Sequence, residues 1–332
     1  VISYLKQKKE GWTMSTFLSA LQGVLEIVIV LIVGYFLSKK GWFDMNTADL
    51  FAKLVLNLSL PLNMIVNLAT FFKREDLIHS AKGLIIPFLS IIISYIVGYI
   101  LALIFKTKKY RRGLLAGMFS LSNSIFIGLP MSQALFGEIA TPYTLLYYMA
   151  NTTIWWTIGV YGIILDTQGK IDKGILNMDT LKRIFNPPFL GFIIGVILIF
   201  SNLKIPSFIF DSFKMIGNLT TPLSLFYVSI IIYQMGFKRF SLDKDTILTF
   251  LGRFIVTPLL VIILNYFIPL PKLMRDVFII MSAMPVMVNS AIVSRIYGGD
   301  YEFAVIMITY TTLLSIIVMP FYMVLIEIIW IL

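Results

Sequence analysis

Ten apolar runs, each about long enough to cross a bilayer, follow one another along this chain. They cover residues 16–38, 46–69, 82–105, 111–136, 141–165, 187–203, 212–235, 246–268, 273–297 and 302–330. Hydrocarbon offers no partner to an exposed peptide group, so a run of this length folds as a helix. A 58% hydrophobic content over 332 residues agrees, and so does a mean hydropathy of +0.90. The expected fold is therefore an all-α polytopic membrane protein with the lipid bilayer as its surroundings and the cell membrane as its location.

Composition also excludes whole classes of function. The net charge of +10 gathers between apolar runs, as it does in cytoplasmic loops, so it is no footprint of nucleic acid. There is no cysteine and a single histidine, His79, in a charged loop. Thiolate chemistry is impossible, and neither a histidine metal site nor a Ser-His-Asp arrangement has the residues it needs. No pair of carboxylates lies within the runs, and no Walker A motif is present. An enzyme, a metal or cofactor site and an ATP-driven pump are not expected.

The fourth run carries the most telling punctuation. Within Leu114 to Phe136 stand Ser122, Asn123, Ser124, Gly128 and Pro130. Proline has no N–H and crowds the preceding turn, so Pro130 is expected to open a half-helix after a break. The ninth run carries a counterpart, Ser282-Ala-Met-Pro285-Val-Met-Val-Asn289-Ser290. The second run holds Asn57-Leu-Ser-Leu-Pro61 and the seventh holds Thr220-Thr-Pro222. Pro222 follows Pro61 by 161 residues and Pro285 follows Pro130 by 155. Five runs per half would put the second half into the membrane upside down. Paired interruptions in matching places of two inverted halves point to a transporter site near mid-membrane. The expected organisation is a tail at 1–15, a first five-helix repeat at 16–165, a central cytoplasmic loop at 166–186 and an inverted second repeat at 187–332. Met14 is the expected biological start, with residues 1–13 an extension.

Freed N–H groups at a half-helix start favour an anion, and the free carbonyls at the opposing ends suit a cation. Asn123 and Asn289 can donate to a carboxylate, with Gly128, Pro130 and Pro285 shaping the backbone between them. Asn57, Asn63 and Thr221 are further candidates for substrate contact, because the second and seventh runs are also polar. Asn63 and Asn67, one turn apart, share a face. Packing against other helices accounts equally well for the polar residues of the second and seventh runs, and less well for two breaks in matching positions. For a coupling proton or sodium ion the candidates are Glu26, near the middle of the first run, and Asn151 and Thr152 in Asn151-Thr-Thr-Ile-Trp-Trp-Thr157-Ile-Gly159. Arg253 lies some eight residues into the eighth run, where it either neutralises an anionic substrate or, the favoured reading, snorkels to the inner face. Gly191 and Gly195 have the spacing of a close helix contact. Fifteen Lys and Arg fall on one side of the runs against seven on the other, or ten with the tail. That bias places both termini outside the cell.

At this point the chain resembles the auxin efflux carrier family, which includes malate and malonate permease-like bacterial and archaeal proteins and the plant PIN-type carriers. The resemblance spans nearly all of 14–332 and is sharpest at 59–68, 123–137, 151–159 and 283–320. It implies ten spans in two inverted five-helix repeats, each giving helices to a scaffold and to a transport unit. It further implies crossed, broken helices four and nine and an elevator-like alternating access that moves small organic anions. The family's polar residue before the fourth-span break falls on Asn123. The resemblance also implies a homodimer. The long hydrophilic loop of the plant members is absent. Two alternatives are a sodium-coupled carrier of the bile-acid-symporter type, which shares the crossed design, and a non-transporting lipid or sterol sensor.

Overall fold

The computed structural model describes residues 2–75, 82–168, 185–201, 203, 205–236 and 242–329, with side chains almost entirely from 21 onward. His79 and most of the central loop lie outside the described residues. Among those described, every regular element is a helix, and the sole β pairing is one isolated bridge.

Twelve helices follow in order. They are α1 (Ile2–Lys39), α2 (Met45–Phe71), α3 (Lys82–Ile104), α4 (Arg112–Ser120), α5 (Ser124–Phe136), α6 (residues 141–168) and α7 (Pro187–Ser201). Then come α8 (Ser207–Gln234), α9 (Lys244–Phe267), α10 (Lys272–Ser282), α11 (Asn289–Tyr297) and α12 (Tyr301–Ile329). Six of them carry a stretch long and apolar enough to cross a membrane: α1, from Leu21 to Lys39, and α2, α3, α8, α9 and α12. The apolar helices α5 and α7 are shorter. α1 runs unbroken through the stretch expected as a tail.

The helix ends are set by local chemistry. Asp44 caps α2 by accepting from the Thr47 amide at 2.8 Å, and Asp243 caps α9 through the Thr246 amide at 2.8 Å. Three of the prolines follow a widened turn. Single π turns at Val55–Ser59, Ser124–Gly128 and Gly252–Val256 directly precede the segments that hold Pro61, Pro130 and Pro258. The wider i to i+5 ladder absorbs the hydrogen bond that proline cannot donate. This corrects the expected position of the first break. Pro130 does not open the half-helix; the chain leaves helical geometry at Leu121, nine residues earlier, where φ and ψ are −102° and 132°.

Close approaches define the packing. A Cβ on Gly191 would lie 2.6 Å from the Pro61 carbonyl oxygen, and one on Gly195 2.7 Å from Leu68, so the paired glycines seat α7 directly on α2. A Cβ on Gly113 would stand 2.3 Å from the Gly162 carbonyl carbon, which fixes α4 against α6 backbone to backbone. α2 packs on α7 and α8, and α8 packs on α1. The remaining helices gather around the two interrupted pairs, α4–α5 and α10–α11.

Candidate functional site

The two interruptions meet in space. Ser122 pairs antiparallel with Val286, and the Asn123 amide donates to the Pro285 carbonyl at 2.8 Å. Residues 121–123 and 283–288 thus form a minimal two-stranded bridge inside a helical protein. Ser122 and Val286 are fully buried, so the outward-facing peptide groups of this bridge need partners. Side chains supply them. Asn151 of α6 accepts from the Ser122 amide at 3.0 Å and donates to the Ser122 carbonyl at 2.9 Å, and also reaches the Ser124 hydroxyl at 3.3 Å. On the other edge, Thr311 of α12 accepts from the Val286 amide at 3.0 Å. Asn151 acts here as a surrogate strand. Thr311 was not among the expected residues. Its one signal in the sequence is that it follows Asn151 by 160 residues, close to the spacing of the paired prolines.

The bridge sorts four half-helix ends into two pairs. α4 and α10 arrive with their C-termini, and α5 and α11 leave with their N-termini. A cavity of about 260 Å³ lies beside the departing ends, at the small end of ligand cavities. Asn57 of α2, Asn123, Thr152 of α6 and Asn289 of α11 all line it, with Ser124, Tyr148, Asn186 and the indoles of Trp155 and Trp156. Four of the expected site residues are therefore brought to one place. Among the described residues, no Asp, Glu, Lys or Arg lines this cavity. The Asn123 side chain is 3% exposed, and its amide nitrogen is buried without a hydrogen-bond partner. Asn57 donates to the Lys53 carbonyl at 3.0 Å, and Tyr148 receives a bond from Asn186 at 3.1 Å. Pro285 supplies the carbonyl of the crossing itself, and Gly128 closes the π turn by donating to the Asn123 carbonyl at 2.9 Å.

The other expected residues gather elsewhere. Glu26, Asn63, Thr221 and Pro130 line a second cavity of about 540 Å³ among α1, α2, α5 and α8, with Glu138 and Lys214 at its wall. Asn67 donates to the Asn63 side chain at 3.0 Å, so those two residues do share a face. Thr221 donates to Gln133 at 2.6 Å, which in turn donates to Glu138 at 2.9 Å. Glu138 sits between α5 and α6, and burial raises its carboxyl above the ordinary value while bonds from Thr141 and Gln133 oppose the shift. No group of three or more metal-binding side chains occurs among the described residues.

Arg253 departs from its expected position. It is fully buried and does not snorkel. Its guanidinium donates to the carbonyls of Met284 at 3.0 Å, Phe119 at 3.4 Å and Ser282, all at the crossing.

Residues 19–323 match the family described as "Membrane transport protein". The chain belongs to the auxin efflux carrier family of membrane transport proteins. This carrier is similar to an uncharacterized transporter of Methanocaldococcus jannaschii, with 26% identity over 299 residues that cover 89% of this chain and 95% of the relative. It is also similar to an uncharacterized transporter of Methanothermobacter thermautotrophicus, with 23% identity over 313 residues that cover 92% and 97% of the two chains. The carrier is thus a membrane transporter and not an enzyme.

Proposed function

We propose that this transporter is a secondary carrier of small organic anions, auxin-like acids or dicarboxylates, which it binds at the crossing. One observation carries the reading: the buried side-chain amide nitrogen of Asn123 has no partner, and the residue lines a small cavity at the N-terminal ends of α5 and α11. Two helix starts present N–H groups and partial positive charge there, and amides and hydroxyls complete the lining. A carboxylate accepts from these donors, whereas the partial positive charge of the two helix starts disfavours a cation.

The full architecture belongs to this proposal. In it, α4–α5 and α10–α11 are the broken fourth and ninth of ten spans in two inverted five-helix repeats. Two correspondences support it. Ser59 and Thr220, each two residues before its proline, are hydrogen-bonded at 3.1 Å across a separation of 161 residues. Asn151 and Thr311 brace the two edges of one bridge from matching places in the halves. α1, α2, α7 and α8 form the scaffold, and the crossing with its neighbours moves past them in an elevator-like step, in a homodimer with both termini outside. Proton coupling falls to Glu26, in the wall of the larger cavity.

The test is uptake of carboxylates into proteoliposomes, preceded by a thermal-shift screen of carboxylates with and without sodium. Asn123→Ala is expected to abolish uptake while leaving the folded protein intact. Unchanged uptake in that variant removes Asn123 from the site.

A further inference from the structure

The crossing has a second pole. α4 ends at Ser120 and α10 ends at Ser282, so the C-terminal carbonyls of both arriving half-helices converge on one side of the bridge. A helix C-terminus carries about −0.5 of an elementary charge, so two of them together present roughly one negative charge. Such a place is a cation site by construction. In this protein a side chain fills it. Arg253 comes from the π turn Gly252–Val256 of α9 and is 0% exposed. Its Nε and both terminal nitrogens are directed at three carbonyls, those of Met284, Phe119 and Ser282. Thr257, one turn on, adds a hydroxyl donated to the same Phe119 carbonyl at 3.2 Å. Among the described residues, no carboxylate lies within ion-pair distance of Arg253. A buried guanidinium is ordinarily paired with an anion, because its desolvation is costly. Among the described residues, the backbone of the two broken helices is its counter-charge.

We infer that Arg253 is a tethered cation occupying a monovalent-cation site at the C-terminal pole of the crossing, so that this carrier holds the crossing together without a free ion there. The π turn is part of the device. It widens α9 at Arg253 and so lets the side chain reach two other helices. The charge is permanent, since a guanidinium does not release its proton in the working range. A structural role that depended only on volume would make the same space indifferent to charge.

The experiment is a thermal unfolding series on the purified full chain in detergent, without any substrate. The variants are Arg253→Ala, Arg253→Met and Arg253→Lys. Arg253→Ala opens the site, and free guanidinium at millimolar concentration is expected to refill it. A saturable rise in Tm of roughly 3 °C or more at ten times Kd follows from binding to the folded state alone. The wild type shows no such rise, and tetramethylammonium, which has no N–H to donate, gives none in either protein. Arg253→Lys is expected to be clearly more stable than Arg253→Met and to ignore guanidinium. Identical responses of Arg253→Ala and wild type to guanidinium overturn the inference. If Arg253→Ala does not yield folded protein, the Lys and Met variants decide, and equal stability of those two overturns it. No substrate enters these measurements, so their outcome is independent of the organic-anion reading.

Discussion

Replacing Asn151 tests whether one side chain holds the crossing in register. The side chain answers both peptide groups of Ser122, its N–H at 3.0 Å and its C=O at 2.9 Å, in a site with no access to water. Each buried backbone group left without a partner costs about 1–3 kcal/mol, so Asn151→Ala is expected to lose about 2–6 kcal/mol. At roughly 2 °C per kcal/mol for a chain of this length, Tm falls by about 4–12 °C. The alanine also leaves a small void, which by itself destabilises. Asn151→Leu separates the two effects, because leucine restores the volume and not the hydrogen bonds. If the bonds matter, leucine is no better than alanine. Thr153→Val is the control on the same helix: Thr153 bonds only back to the Met149 carbonyl, and its loss is expected to stay below about 1 kcal/mol. The measurement is thermal unfolding of each variant, followed by flux. An Asn151→Leu protein within about 1 °C of wild type refutes the bracing role and, with it, the pairing of Asn151 with Thr311.

Other expectations follow from single contacts. Gly113→Ala places a methyl against the Gly162 backbone, which cannot yield, and is expected to cost about 3 kcal/mol, whereas Gly128→Ala meets chiefly the flexible Met281 side chain and costs about 1 kcal/mol or less; thermal unfolding compares them. Arg111 pairs with Asp245 at 2.8 Å and with Asp300, and Asp245 is 4% exposed, so Arg111→Met is expected to cost about 3 kcal/mol and Asp245→Asn in that background to recover part of it. The Asp44 carboxyl is held below its ordinary 3.8 by bonds from the Thr47 amide and hydroxyl. Its folded pKa is the depressed one. The stabilisation is therefore present above pH 4 and disappears as pH falls through the folded value. The gap between wild type and Asp44→Ala should close in that acid range when Tm is followed against pH.

The amino-acid sequence shows the class of fold and which two runs are interrupted, because membrane helices announce themselves by length and a break in one has to be polar. Asn123, Asn289 and Pro285 were legible for that reason. The division of the polar residues between two cavities was not. Asn57 and Asn63 lie on the same helix six residues apart, which at about 100° per residue turns one roughly 240° from the other. The π turn at Val55–Ser59 shifts the phase again. Proximity in the chain therefore suggested one site where the fold makes two. The position of the first break was misread for a related reason: proline is the visible marker, yet the π turn lets Pro130 ride inside the helix. Arg253 stood out as a charge inside a run, but its place did not, since its partners are backbone carbonyls 31, 134 and 29 residues away, and carbonyls have no sequence.

The two poles of the crossing are best understood together. Two N-terminal ends bring roughly +1 of partial charge to the small cavity, and two C-terminal ends bring roughly −1 to the opposite side. The negative pole is filled by a fixed guanidinium. The positive pole is bordered by amides, hydroxyls and indoles and by no described Asp, Glu, Lys or Arg. A crossing with one pole neutralised carries an unbalanced positive charge at the other, which on the proposed reading a single carboxylate balances. A carboxylate side chain placed there would satisfy the pole once and for all; uncharged Asn123 and Asn289 leave that charge unbalanced. On the proposed reading, this asymmetry between a tethered cation and an exchangeable anion lets the protein release what it binds. It predicts that Asn123→Asp, by installing the anion, is folded and stable and yet no longer responds to carboxylates in the thermal-shift screen.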